Sequence, residues 1–285
     1  MNILSIQSRV AYGHVGNAAA VFPLQRLGHD VWPIDTVGFS NHLGYPTWRG
    51  RTHTVAEVRE ILDGLDLLGA LKRCDAVLSG YLGDKDNGEV VLEAVARVRA
   101  ANPAAPYACD PVMGDRGGGL FVKPDVPAVF TELLLPAADM TFPNAFELEH
   151  LTGGTTDRLP AALDAVDALR TRMRPGALVV LTSLLRADGP ADRIEVLAVS
   201  GEGAWLVDTP YHAGPPHGAG DCFAALFLGH YLKSRSVEAS LARAVSGIHA
   251  VLAASAAAGA AELRIVAAQD QLDPARPLFR PTRVR

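Results

Sequence analysis

Four residues, Gly218, Ala219, Gly220 and Asp221, stand directly ahead of the apolar run CFAALFLGHYL, Cys222 to Leu232, which reads as the start of a buried helix. Gly218 and Gly220 carry no Cβ, so the backbone there can approach a ligand closely. The amides of Ala219, Gly220 and Asp221 would point N–H groups outward at the positive end of the helix, where a phosphate can dock. A carboxylate beside a bound anion is repelled unless it has a task. The fitting task is to take the proton from a hydroxyl that attacks phosphorus, which makes Asp221 a candidate catalytic base. Helix capping is the competing role for Asp221, and the other polar residues of the chain favour the base.

Asn144 and Glu147, in the stretch NAFE, are three residues apart and share one helical face. An amide oxygen and a carboxylate so placed can hold the hydration shell of Mg2+, partly through water. The same pair also makes a helix N-cap with a capping box, and the two readings are compatible. In CDPVMGD, Asp110 ends a strand, Pro111 sets the exit direction, and Asp115 follows five residues on, so the two acids can help to position metal and polyphosphate. Gly117 to Gly119 make residues 115–122 either a closing flap, which phosphoryl transfer would use to exclude water, or a plain flexible connection. No P-loop consensus, no dinucleotide finger and no nucleophile elbow is present, so those chemistries lack support.

The elements that must position these groups alternate. Short β-rich runs are expected at Ile3–Gln7, Asp30–Thr36, Ala76–Ser79, Tyr107–Asp110, Met140–Phe142, Leu178–Leu181, Ile194–Val199 and Ala204–Val207. Helices are expected at Gly16–Leu27, Val55–Leu71, Asn87–Ala101, Val126–Leu133, Asn144–Leu151, Leu159–Met173, Ala219–Lys233 and Val237–Ala258. This is the pattern of an α/β protein whose mostly parallel sheet is covered on both faces. Ligands in such sheets gather beyond the carboxyl ends of the strands, and the polar stretches after the strands, from Ser8 to TSLLR at Thr182–Arg186, line up there.

With 285 residues and 49% hydrophobic content, the chain reads as a single domain over 1–285, with no linker-like composition shift. A net charge of −5 argues against nucleic acid as the main partner. The N-terminus lacks a secretory pattern, and the alanine-rich stretch IHAVLAASAAAGAAELRIV reads as a packed helix and not as a membrane span. Three separate cysteines suggest neither disulfides nor zinc, so a cytoplasmic protein is expected. The basic tail RPLFRPTRVR is expected to be solvated.

The stretches GAGD, NAFE and DPVMG resemble the ribokinase-like kinase superfamily, and the N-terminal block from ILSIQSRVAYGHVGN to SNHLGYPTW, with LSGYLG, is similar to pyridoxal kinases in particular. The resemblance runs through nearly the whole chain. It implies a three-layer α/β/α fold and ATP-dependent phosphorylation of the 5'-hydroxymethyl of pyridoxal, with pyridoxine and pyridoxamine as further substrates. It implies Asp221 as base and Gly218, Ala219 and Gly220 as the anion hole, and puts Asp110, Phe142, Asn144, Glu147, Thr182, Thr209, Pro210, Tyr211 and His212 on the ATP side. Asp110, Asn144 and Glu147 match the Mg2+ positions. Ser8, His42, Leu43, Gly44, Tyr81 and Asp221 fall on the substrate side. A monovalent cation, commonly potassium, and a homodimer are implied as well. Leu43 stands where many relatives have threonine, and Thr182 where some have lysine. His217 has no assigned role and is expected to be a solvated loop histidine. The competing readings are a hydroxymethylpyrimidine kinase of the same superfamily and a catalytically silent vitamin B6 binding protein.

Overall fold

The computed structural model describes residues 1–212 and 214–285. In chain order the elements are β1 (Asn2–Val10), α1 (Asn17–Arg26), β2 (Asp30–Phe39), β3 (Gly50–Thr52), α2 (Val55–Leu67), β4 (Ala76–Ser79), α3 (Asn87–Ala101) and β5 (Tyr107–Cys109). A small hairpin of β6 (Gly114–Asp115) and β7 (Gly119–Leu120) precedes α4 (Val126–Ala137). Then come β8 (Met140–Thr141), α5 (Ala145–Thr152), α6 (Leu159–Arg170), β9 (Leu178–Leu184), β10 (Arg193–Ser200), β11 (Gly203–Pro210), α7 (Ala219–Ser234), α8 (Val237–Ala257) and β12 (Thr282–Arg283).

Ten strands form one sheet in the order β12-β11-β10-β9-β8-β5-β4-β1-β2-β3. The centre, from β9 through β8, β5, β4 and β1 to β2, is parallel, while β10, β11, β12 and β3 add antiparallel edges. Alternation along β1 shows how the layers arise. Leu4 and Ile6 point into a core shared with α2 to α6, and Ile3 points into the opposite core under α1, α7 and α8. The chain is therefore a three-layer α/β/α structure. α8 has the length and hydropathy of a membrane span, yet half of its most apolar stretch is buried in the protein, where it packs beside α7 as a core helix.

All eight expected strands and all eight expected helices are found, β4 and α3 at the expected bounds and the others with shifted ends. Three pairings were not foreseen: β3, the β6–β7 hairpin and β12. The basic tail stays largely exposed, as expected, yet it is anchored. It adds β12 to the sheet edge, and Arg285 grips the Asp167 carboxylate on α6 with contacts of 2.5 and 2.9 Å.

Candidate active site

The first turn of α7 answers the question posed by Asp221. In α2, Thr54 and Glu57 make a reciprocal capping box, and in α5 Asn144 and Glu147 do the same. α7 begins instead at Gly218, which is left-handed at φ 87°, and no side chain caps it. Its leading amides stay open to a ligand, and the carboxylate of Asp221 is not spent on capping. A Cβ at Gly218 would overlap the carbonyl oxygen of His14, so only glycine lets this turn pack against the β1–α1 loop. That loop also brings the amide of Gly16 toward Asp221, where it favours the ionised carboxylate.

Three acids converge electrostatically here. Burial, then Glu147, then Asp221 hold the Asp110 carboxyl well above the usual carboxylate range. Glu147 is pushed up to about 8, by burial first; the amides of Met113, Asn144 and Gly114 work against that rise, and the Asp221 charge adds to it. Burial pushes Asp221 up to about 6, against the pull of the Gly16 amide. Like charges in a site of low dielectric favour a counter-cation.

The acids differ in what they have left to offer. Glu147 is 4% exposed, and its oxygens already accept from the amides of Met113 at 2.8 Å, Gly114 at 3.4 Å and Asn144 at 2.9 Å. The Asn144 side chain accepts from the Glu147 amide at 2.9 Å and donates to the Gly114 carbonyl at 2.8 Å. Both are committed to fixing α5 and the start of the β6–β7 hairpin. Asp110, also 4% exposed, accepts no side-chain hydrogen bond among the described residues. Nor do the described residues contain a cluster of three or more His, Cys, Asp or Glu able to grip a metal ion directly. The donor set thus fits a hydrated divalent cation at Asp110, with Glu147 and Asn144 reached through water, and not a closed cage.

The capping role carries its own prediction. Glu147→Ala orphans three backbone amides and lowers stability by about 2 kcal/mol, whereas Glu147→Gln, which keeps acceptor oxygen, loses much less. Thermal melts of the two variants check this, and equal melting temperatures would show that the box contributes nothing.

Other anticipated residues fall as follows. Ser8 does not follow β1 but lies within it, at a register break between Gln7 and Arg9, and the bulge brings Ser8 against Gly16. Burial raises the Tyr81 phenol. The loop 40–49 between β2 and β3 carries His42, Leu43 and Gly44, and Leu43 is exposed. Thr182 forms an isolated parallel bridge with Asn144, which joins the end of β9 to the α5 cap. Thr209 and Pro210 still belong to β11, and only Tyr211 and His212 leave the strand; the buried Nε2 of His212 has no partner among the described residues. Phe142 is buried and packs edge-on against Phe223 and Phe227 of α7. Residues 115–122 form a hairpin, in which the Asp115 carboxylate accepts from the Gly118 amide at 2.5 Å and Arg116 pairs with Glu149 of α5 at 2.8 Å.

Three contributors escaped sequence reasoning: Gly16, His14 and Glu262. Glu262, from the loop after α8, accepts from the Tyr45 hydroxyl at 2.6 Å and the His14 amide at 3.1 Å. A lone acid 248 positions from His14 leaves no local signal.

Comparison with known proteins gives this fold, with its uncapped helix N-terminus and buried acids, the class of a small-molecule kinase of the ribokinase-like fold. A family model described as phosphomethylpyrimidine kinase matches residues 56–265. The chain is 51% identical to pyridoxal kinase PdxY of Deinococcus radiodurans, covering 99% of this chain and 96% of that one. It is 53% identical to pyridoxal kinase PdxY of Rubrobacter xylanophilus, over 95% and 93%. Among solved structures, pyridoxal kinase from Leishmania donovani in complex with ADP and pyridoxine superposes with a TM-score of 0.89 at 34% identity, covering 99% of each chain. The chain belongs to the pyridoxal kinase family.

Proposed function

We propose that the protein transfers the γ-phosphoryl group of ATP to the 5'-hydroxymethyl of pyridoxal, and also accepts pyridoxine and pyridoxamine. The observation that carries this reading is the open first turn of α7 with Asp221 inside it, in a chain alike over its whole length to pyridoxal kinases. The amides of Gly218 to Asp221 hold the transferring phosphoryl group. Asp221, titrating at about 6, is ionised at neutral pH and takes the proton from the 5'-hydroxyl as that oxygen attacks phosphorus. The bond to the ADP oxygen breaks, and the proton leaves Asp221 with product release. Catalysis here is mostly positioning and charge balance.

On the substrate side Ser8, His42, Leu43, Gly44 and Tyr81 surround the vitamin ring. Thr182, Thr209, Pro210, Tyr211 and His212 line the nucleotide, with Phe142 behind them. Asp110 would hold Mg2+, with Asn144 and Glu147 reached through water, and the cation would offset charge between the ATP phosphates. The Arg116 hairpin closes over the phosphates. Potassium, a homodimer and a cytoplasmic setting complete the reading, supported by the likeness to the same kinases. A pyrimidine substrate is the competing possibility raised by the family description. An ADP-release assay decides: pyridoxal is expected to exceed hydroxymethylpyrimidine in kcat/KM by at least about tenfold, and the reverse order would overturn the reading.

A further inference from the structure

The histidine just ahead of the anion hole is not an isolated loop residue. His217 is exposed, yet its ring stacks on His42 with centroids 3.9 Å apart and planes 22° from parallel. Gly44 closes the arrangement. Its amide donates to His42 Nδ1 at 3.0 Å, and a Cβ at this position would lie 2.9 Å from His42 Nδ1 and 3.2 Å from His217 Nε2. Two chain segments 175 positions apart meet here: the loop between β2 and β3, and the turn that opens α7.

We propose that His217 is a substrate-positioning residue, whose stack on His42 latches the vitamin-binding loop to the phosphate-binding turn. The inference rests on the assignment of His42 and Gly44 to the vitamin pocket given above. The latch keeps the ring of the acceptor and the phosphoryl group in one frame, the condition that positional catalysis requires. It works without touching the reacting atoms.

The stack needs uncharged rings. Around it lie His14 and Tyr12 from the β1–α1 loop, Tyr45 from the same loop as His42, Glu262 from the segment after α8, and Asp221 four residues beyond His217. Burial, and then His217, push His42 below the ordinary imidazole value, while Glu262 opposes them. A lowered imidazole pKa means that the folded arrangement binds its proton less readily than the free side chain. Its contribution is therefore complete above the ordinary imidazole value and is lost as the pH falls below it. Glu262 is already engaged by the Tyr45 hydroxyl and the His14 amide, which limits its help to a protonated His42.

His217→Ala raises KM for pyridoxal about two- to tenfold at pH 8, the size of one aromatic pair, with KM for ATP unchanged. His217→Phe restores a flat ring that carries no charge, returns KM at pH 8 to within about twofold, and flattens its rise between pH 8 and pH 5.5. Proton NMR supplies a readout independent of turnover: the His42 ring in His217→Phe titrates at higher pH than in the wild type, since one of the two causes of its depression is gone. The latch is overturned if His42→Ala raises KM for pyridoxal while His217→Ala does not. If neither variant changes KM although the NMR shift appears, the pocket assignment fails and the inference with it.

Discussion

Asp221→Asn lowers kcat by at least about a hundredfold, the usual contribution of a general base, while ATP still binds with near wild-type affinity. The same substitution raises stability. Burial lifts the Asp221 carboxyl to about 6, so the folded protein binds this proton more tightly than the unfolded chain does. For a raised acid the sign is the reverse of the usual carboxylate case: ionisation at neutral pH costs folding energy, on the order of 3 kcal/mol, and the cost vanishes as the pH falls below the unfolded value. Replacing the acid by a neutral amide removes that cost, and the variant melts several degrees higher at pH 8. In the wild type, kcat/KM falls on the acid side with an apparent pKa near 6. Steady-state kinetics and calorimetry on one preparation test both halves. Loss of activity with loss of stability would mark Asp221 as structural, and near-normal turnover would remove it from the chemistry.

Gly218→Ala is expected to be almost as damaging for a different reason. At φ 87° an alanine is strained, and its methyl group overlaps the His14 carbonyl, which is backbone and cannot swing aside. The turn must then shift, and its amides no longer meet at the phosphate. Turnover drops by about a hundredfold and KM for ATP rises, in keeping with the loss of a preformed oxyanion-type site. Gly220→Ala is the control, because open space surrounds the position where its Cβ would lie. That variant changes turnover much less. Similar losses in both would indicate that any methyl on this turn blocks the phosphate, and not that the backbone has moved.

The fold was legible where periodicity governs it. α3 covers Asn87–Ala101 as its apolar spacing requires, and β1, β2 and β9 fall on runs that carry valine and isoleucine or leucine. Short pairings were illegible because their partners decide them. β3 and β12 are three and two residues long, and each exists only because a neighbour offers an edge. The exposure of the arginine-rich tail was legible from its composition, but its anchoring was not, because the Asp167 carboxylate that Arg285 grips lies on a distant helix.

The site divides along the same line. Asp221 and its glycines stand in a contiguous motif whose local geometry follows from backbone physics. The capping box of Asn144 and Glu147 was legible too, from the three-residue spacing of the pair. Ser8 could be named but not explained, because the bulge that aims it depends on the register of β2. His14, Gly16, Glu262 and the His42–His217 stack depend on loops that meet only after the sheet and both helix layers have assembled. No local pattern encodes such meetings.

The most direct measurement is a crystal structure with pyridoxal and a non-hydrolysable ATP analogue. The terminal phosphate should accept hydrogen bonds from the first-turn amides of α7, with an Asp221 oxygen within about 3 Å of the 5'-hydroxyl. A terminal phosphate bound away from that turn, with Asp221 directed at solvent, would contradict the account.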